Sequence, residues 1–155
     1  MIYSFHSKSV KESMHFGAKL AHFLTPGSVV GFQGELGSGK TTLVQGIAEG
    51  FGIPRHDVKS PTFVIFHVYN GKFPVYHFDL YRLEHEKELG AIGFEEFTSD
   101  PKTVSLIEWI EKAGTFQPDD LILIHLRTKS PTEREFKLEA QGRRSKKILQ
   151  KFIKK

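Results

Sequence analysis

The chain has no cysteine among its 155 residues, which excludes disulfides and thiolate metal sites. No apolar run approaches the ~20 residues needed to cross a bilayer. The N-terminus also carries no apolar region of the signal-peptide kind. A soluble cytoplasmic protein with no membrane partner is the expectation. Repeats, low-complexity tracts and linkers are absent too, so the 39% of hydrophobic residues should build one core in one domain spanning residues 1–155. The eight histidines are scattered without metal-ligand spacing, and His77 reads as a strand residue rather than a zinc ligand. Acidic side chains are missing from Arg143 to Lys155, where seven Lys and Arg stand together. The formal net charge of +4 therefore describes the tail, and the body carries 15 basic against 18 acidic residues.

What is present centres on Val29 to Thr42. Gly34, Gly39, Lys40 and Thr41 fit the phosphate-loop spacing of Gly, four residues, then Gly-Lys-Ser/Thr. An apolar run precedes the loop and an amphipathic pattern follows it, which is the strand–loop–helix context the motif requires. Glycines permit positive φ and bring backbone N–H groups close to phosphate oxygens. The helix beginning near Lys40 adds its positive end. Glu35, Leu36, Gly37, Ser38, Gly39, Lys40, Thr41 and Thr42 are thus expected to wrap a nucleotide's phosphates. Lys40 would reach the β/γ-phosphates and the Thr41 hydroxyl would bind Mg²⁺.

Along the chain, Tyr3 to His6 reads as a short strand. Ser9 and Glu12 have capping-box spacing ahead of a helix to Leu24, with Val10, Met14, Ala18, Leu20, Ala21 and Leu24 on its apolar face. Ser28 to Gln33 is a buried strand, and the helix after the loop buries Leu43, Val44, Ile47, Ala48 and Phe51 before Gly50 and Gly52 close it. Thr62 to Tyr69, an Asn70-Gly71 turn and Lys72 to Phe78 form a hairpin by the strongest short turn signal. Two short helices broken near Gly90 and Gly93 follow. Then come a strand Val104 to Ile107, a short helix to Gly114, strands over Leu121 to Leu126 and Glu135 to Ala140, and a basic C-terminal helix over about 143–155. The fold class is α/β: a phosphate-loop-like mixed sheet flanked by helices.

A phosphate loop needs a second carboxylate to hold magnesium opposite Thr41. Glu108 follows the better apolar lead-in, whereas Asp79 ends a strand that alternates like an exposed hairpin arm. Each also reads as a solvated strand-end acid. Thr62 is a candidate switch residue sensing the terminal phosphate, or a plain Ser-Pro turn.

Four blocks, Gly34 to Thr42, Ser60-Pro61-Thr62-Phe63, His77-Phe78-Asp79-Leu80-Tyr81-Arg82 and Ile107-Glu108-Trp109, resemble in order and spacing the signatures of the bacterial TsaE (YjeE) ATPases. These act in making threonylcarbamoyladenosine in tRNA. The likeness covers about Ser9 to Trp109. It implies a mixed α/β ATPase whose hydrolysis of ATP supports the TsaB–TsaD threonylcarbamoyl-transferring pair, with tRNA an indirect partner. It also implies that Lys40 binds phosphate, Thr41 and Glu108 hold magnesium, Thr62 serves a switch-like loop, and Asp79 acts near the attacking water or the metal. Trp109 reads as an aromatic packed over the strand end.

Asn70 is the only asparagine, so the Asn-Lys-x-Asp guanine signature is absent and ATP is preferred to GTP. The regions around Ser9, Val10 and Arg143 are candidates for the adenine pocket. In the tail, Ile148, Leu149, Phe152 and Ile153 favour packing on the body, with contact to tRNA phosphates or an acidic partner the other reading. A small-molecule kinase is the alternative function, but a phosphate-clamping lid is hard to place with Arg82 the only arginine between Arg55 and Arg127. A nucleotide-binding scaffold without turnover is the third, against which an intact Lys40, Thr41, Asp79 and Glu108 argue. Turnover by the chain alone is expected to be slow, and partners docking near Ser60 to Phe63 to raise it.

Overall fold

The computed structural model describes residues 1–59 and 66–155. Thr62 and the first part of the strand expected to start there, residues 62–65, therefore lie outside the described residues. The described strands are β1 (Ile2–Ser7), β2 (Val29–Gln33), β3 (Phe66–Asn70), β4 (Pro74–Asp79), β5 (Val104–Glu108), β6 (Leu121–Thr128) and β7 (Arg134–Gln141). The helices are α1 (Val10–Ala21), α2 (Lys40–Gly50), α3 (Glu88–Ala91), α4 (Phe94–Thr98) and α5 (Arg143–Ile153). Short 3₁₀ turns lie at Arg55–Asp57 and Ile110–Phe116.

All seven strands form one sheet in the order β1-β7-β6-β2-β5-β4-β3. β6, β2, β5 and β4 run parallel, and β7, β1 and β3 join antiparallel at the two flanks. A parallel centre must be covered on both faces, because its strands arrive by crossovers that lay helices over them. Alternate residues accordingly enter two cores. Val30, Phe32, Leu106, Ile122 and Ile124 face α1, α2 and α5, while Val29, Ile107, Leu121 and Leu123 face α4 and the Ile110–Phe116 turn.

α1 begins as its sequence suggests. The Ser9 hydroxyl accepts the Glu12 amide at 3.0 Å, but the Glu12 carboxylate reaches the Lys8 amide rather than that of Ser9. Val10, assigned to the apolar face, is 63% exposed at the helix start. The helix ends at Ala21 instead of Leu24, although Leu24 is still buried. α1 packs tightly on α2 because small residues meet there. A Cβ on Gly46 would stand 2.6 Å from the Met14 carbonyl, and one on Gly17 would stand 2.8 Å from the Ile47 nitrogen. Neither neighbour is a flexible side chain. Gly46→Val is therefore expected to destabilise the fold by about 1–3 kcal/mol. The thermal midpoint should fall by about 2–4 °C for each of these, and an unchanged midpoint would mean that the two helices can separate freely.

The hairpin forms with a different turn. Asn70 pairs with Pro74, so Gly71, Lys72 and Phe73 make a three-residue connection. The turn is docked: the Lys72 amide donates to the Phe51 carbonyl at 3.0 Å. Gly71 serves close approach, since its Cβ would meet that carbonyl at 2.7 Å. β4 is not an exposed arm either, because it lies between β3 and β5 with His77, Phe78 and Asp79 buried. Gly90 sits inside α3 rather than breaking it, and Gly93 opens α4 at φ 78°.

α5 packs through Ile148, Leu149 and Phe152, whereas Ile153 is 41% exposed. Its N-terminal amides are capped from a distance. The Asp120 carboxylate accepts from the Arg144 amide at 2.9 Å, the Ser145 amide at 3.0 Å and the Ser145 hydroxyl at 2.6 Å. Burial alone would raise the Asp120 carboxyl, but these donors outweigh it and hold the group below the usual range.

Candidate active site

The carboxyl ends of β2, β5 and β4 share one edge of the sheet, because these strands are parallel and in register. Phe32 is level with Glu108, and Glu108 is level with Asp79. Such an edge is where open α/β sheets place ligands. The loop from Gly34 to Gly39 leaves β2 at this edge and turns into α2. Gly34 admits no side chain, since a Cβ would lie 2.6 Å from both the Leu126 carbonyl and the Ser38 hydroxyl. Gly37 and Gly39 adopt φ of 81° and 97°. Gly39 also provides no side-chain cap to α2, so the first amides of that helix face the loop's hollow without one.

Lys40 is buried and folded back over its own loop. Its Nζ donates to the Gly34 carbonyl at 2.6 Å, the Glu35 carbonyl at 2.8 Å and the Ser38 hydroxyl at 3.3 Å. Those three acceptors match the three protons of an ammonium. The same nitrogen lies 4.1 Å from the centre of the Trp109 ring. Burial lowers the Lys40 pKa, opposed by the charges of Glu108, Glu111 and Asp79.

Beside it, the Thr41 hydroxyl donates to Glu108 at 2.9 and 3.2 Å. The Glu108 carboxylate is held from behind by a buried chain that sequence reasoning missed. His77 Nε2 lies 2.6 Å from Glu108 Oε2, and His77 Nδ1 lies 2.9 Å from the Tyr69 hydroxyl. With a proton on Nε2, His77 donates to the carboxylate, while its Nδ1 packs against the Tyr69 hydroxyl, which also donates to the Lys59 carbonyl at 3.3 Å. Burial, opposed by the hydrogen bond to the Lys59 carbonyl and aided by the charge of Glu108, pushes the Tyr69 hydroxyl up to about 12. His77 is one strand residue from Phe78 and two from Asp79, and it points to the opposite face from Phe78; only the β4–β5 register shows that this is the Glu108 side. His77→Phe removes a donor from a fully buried site and is expected to cost about 1–3 kcal/mol, more than the ~1 kcal/mol expected for Tyr69→Phe. Urea unfolding reads both, and equal losses would deny His77 its place as the carboxylate's anchor.

Asp79 is 8% exposed and its Oδ1 accepts the Tyr81 amide at 2.9 Å. Trp109 departs further from expectation. It holds φ at 60°, a conformation bulky residues avoid, and its ring stacks on Tyr81 at 5.0 Å between centroids. The residue therefore forms a wall of the site beside Lys40, not a lid on the strand end alone. A cleft of about 460 Å³ is lined by Leu36, Gly37, Gly39, Lys40, Thr41, Thr42, Asp79, Tyr81, Glu108, Trp109 and Arg134. The structure thus brings together the described residues chosen for phosphate and metal, with Glu35 and Ser38 bracing Lys40 from within the loop; of the adenine candidates, Ser9 and Val10 border a small hollow beside the cleft, whereas Arg143 lines a separate one with Phe23 and Thr25. Leu36, at the loop's tip, is 75% exposed. Thr62 lies outside the described residues. Arg134, from the first position of β7, is an unforeseen member, since nothing in the spacing ties residue 134 to residue 37. Among the described residues no helix is long and apolar enough to cross a membrane, and no group of three or more His, Asp and Glu side chains is placed to hold a metal.

Residues 7–136 match the family described as Threonylcarbamoyl adenosine biosynthesis protein TsaE. The tRNA threonylcarbamoyladenosine biosynthesis protein TsaE of Bacillus subtilis is 42% identical over 82% of this chain and 79% of its own length. Its namesake in Haemophilus influenzae is 36% identical over 90% of each chain. A crystal structure of Bacillus subtilis YdiB superposes with a TM-score of 0.83 at 28% identity, covering 99% of this chain and 95% of that one. The overall fold is therefore shared with a solved structure, and with the family match spanning the loop, both carboxylates and Trp109, this chain belongs to the TsaE family.

Proposed function

We propose that this chain is a magnesium-dependent ATPase of the cytoplasm, built as one domain over residues 1–155, whose binding and hydrolysis of ATP serve the formation of threonylcarbamoyladenosine in tRNA. The observation that carries this reading is the Thr41 hydroxyl bonded at 2.9 Å to the buried carboxylate of Glu108, directly beside Lys40 and the open start of α2. A hydroxyl and carboxylates are hard oxygen donors of the kind magnesium takes, and too few to hold it without phosphate oxygens and water. The residues present fit that ion: Thr41 and Glu108 would hold it, and it would neutralise charge on the phosphates.

The chain's own groups do the rest. The amides from Glu35 to Thr42 bind and orient the phosphates, with Gly37, Ser38 and Gly39 shaping the turn and Leu36 at its rim. Lys40, already stripped of much of its water, exchanges loop carbonyls for the β/γ-phosphates. Asp79 stands level with Glu108, where it orients either the attacking water or the metal's hydration shell. Thr62 serves as the switch that senses the terminal phosphate. Partners of the TsaB–TsaD kind dock near Ser60 to Phe63 and raise a slow intrinsic rate, and tRNA is met through them. The test is phosphate release from Mg-ATP by the chain alone, with those partners, and with tRNA added. Free phosphate that rises with partners supports the reading. Phosphate transferred to a small acceptor would make the chain a kinase instead, and fast turnover at ~1 s⁻¹ or above without partners would end the coupled-ATPase idea.

A further inference from the structure

Among the described residues, no strand pairs with the outer edge of β1. Its register with β7 runs unbroken over six residues, and one step beyond it the Ala140 amide donates to the Met1 carbonyl at 3.4 Å. Bonded pairs alternate along an antiparallel ladder. Tyr3, Phe5 and Ser7 therefore turn their amides and carbonyls to β7, and Ile2, Ser4 and His6 turn theirs outward. Sheet edges are commonly blunted by lysine, proline or a bulge, and β1 has none of these. Along this strand lies a groove of about 390 Å³. Tyr3 and Phe5 form one wall, with Phe16 and Phe152 buried beneath. Phe5 stacks on Phe16 at 4.5 Å, and Tyr3 meets Phe152 edge-on at 5.6 Å. The opposite wall, on α1, is basic. Lys11, His15 and Lys19 follow at intervals of four on one exposed line of that helix. Among the described residues neither lysine forms an ion pair with a carboxylate. Glu12, the acid of this rim, is engaged by the Lys8 amide at 3.1 Å. None of these residues lines the cleft of Lys40 and Glu108.

We propose that the edge of β1 is a docking site for an extended acidic segment of a partner protein, which adds one more strand to the sheet. The outward amides and carbonyls of Ile2, Ser4 and His6 pair with that segment. Its side chains opposite Tyr3 and Phe5 enter the aromatic groove, since directly opposed residues pack most closely. Charge fixes its composition. Lys11 and Lys19 are separated along α1 by a rise of about 12 Å, close to the length of about four strand residues. Strand residues at i, i+2 and i+4 share one face. The segment that fits therefore carries carboxylates at i and i+4 for the two ammonium groups, and a bulky apolar side chain at i+2 for the groove. A second copy of this chain fits poorly, because its own β1, Ile-Tyr-Ser-Phe-His-Ser, brings no carboxylate to the lysines. The surface is separate from the phosphate loop and stands or falls apart from the ATPase reading.

The experiment is hydrogen exchange at the β1 amides of the intact chain, with and without a blocked peptide whose core is Glu-Thr-Phe-Thr-Glu. Saturating peptide is expected to slow exchange at Ser4 and His6 about tenfold or more. The amides of Tyr3 and Phe5, already bonded to β7, should change little. Lys11→Glu combined with Lys19→Glu should weaken the peptide about tenfold. A peptide with lysine at both acidic positions should recover that loss on the variant and bind the parent poorly. Ser4→Pro, which removes one outward amide from an edge strand, should abolish binding. Absence of binding at ~1 mM peptide overturns the proposal, as does binding that leaves Ser4 and His6 unprotected. Protection of those amides that appears without peptide and grows with protein concentration would give the edge to a second copy instead. A short RNA of matching charge that displaces the peptide would make the rim a phosphate-binding surface, and the proposal falls then too. Should Ser4→Pro fail to fold, the charge-reversed variant decides, because it alters only exposed side chains. Equal affinity of parent and variant for the acidic peptide denies the lysines any part in docking and overturns the proposal.

Discussion

Lys40→Ala is expected to lower ATP turnover by ~10²–10³-fold in a protein that remains folded. Two features of the structure support both halves of that expectation. Lys40 supplies the one cationic side chain within the loop, and it sits at the junction of the loop, Glu108 and Trp109. Its loss removes the charge that would meet the phosphates as negative charge builds in the transition state. Stability should suffer less, because burial already penalises the ammonium and lowers its pKa. The carbonyls of Gly34 and Glu35 lose a donor, but Glu35 is exposed and Gly34 only half-buried. Phosphate release measured beside circular dichroism settles the matter. A folded Lys40→Ala protein with the parent rate would remove the loop from consideration as the active site.

Replacing the paired carboxylates should separate two roles. Asp79→Asn is expected to slow turnover by ~10²-fold or more while leaving Mg-ATP affinity near the parent value, the pattern of a group that orients a water in the transition state. Glu108→Gln should instead weaken magnesium-dependent nucleotide binding by ~10–100-fold, with a raised magnesium requirement. The structural reason is asymmetry between neighbours in register. Glu108 is locked by Thr41 on one side and His77 on the other, so its carboxylate is held in place for a cation bound at the Thr41 hydroxyl. Asp79 is tied to the backbone of Tyr81 at the cleft wall, on a residue two positions along. Magnesium titrations of nucleotide binding and of rate, run on both variants, distinguish the cases. Should Asp79→Asn alone raise the magnesium requirement, the two assignments exchange.

The placement of the site followed from local sequence because its elements are contiguous. Gly34 to Thr41 reads as loop and helix start through the conformational needs of glycine and the capping of a helix, both of which act within a few residues. Glu108 and Asp79 were legible as strand-end acids because hydrophobic runs stop at them. The parallel sheet then makes strand ends coincide, so residues 41, 79 and 108 meet. Where alternation was the only guide it misled. β4 looks like an exposed arm because His77 and Tyr76 are polar, yet His77 is polar in order to bind Glu108 from a buried position. The Asn70-Gly71 pair signals a turn, but its length was set by the docking of that turn on Phe51.

By itself the sequence determined the fold class, the loop, the two acids at strand ends and the basic, packed C-terminal helix, since each rests on periodicity or on the backbone preferences of a few adjacent residues. Tertiary structure alone decided which side chains complete the site. The Tyr69–His77–Glu108 chain depends on β3, β4 and β5 lying in register. The position of Trp109 under Lys40 depends on a left-handed backbone turn at the end of β5. Arg134 lies 97 residues from Gly37, and the two meet because β7 pairs with β6, which pairs with β2, whose end is the loop. No pattern within one segment carries such information, because these contacts are fixed by strand order and by nothing local to either partner.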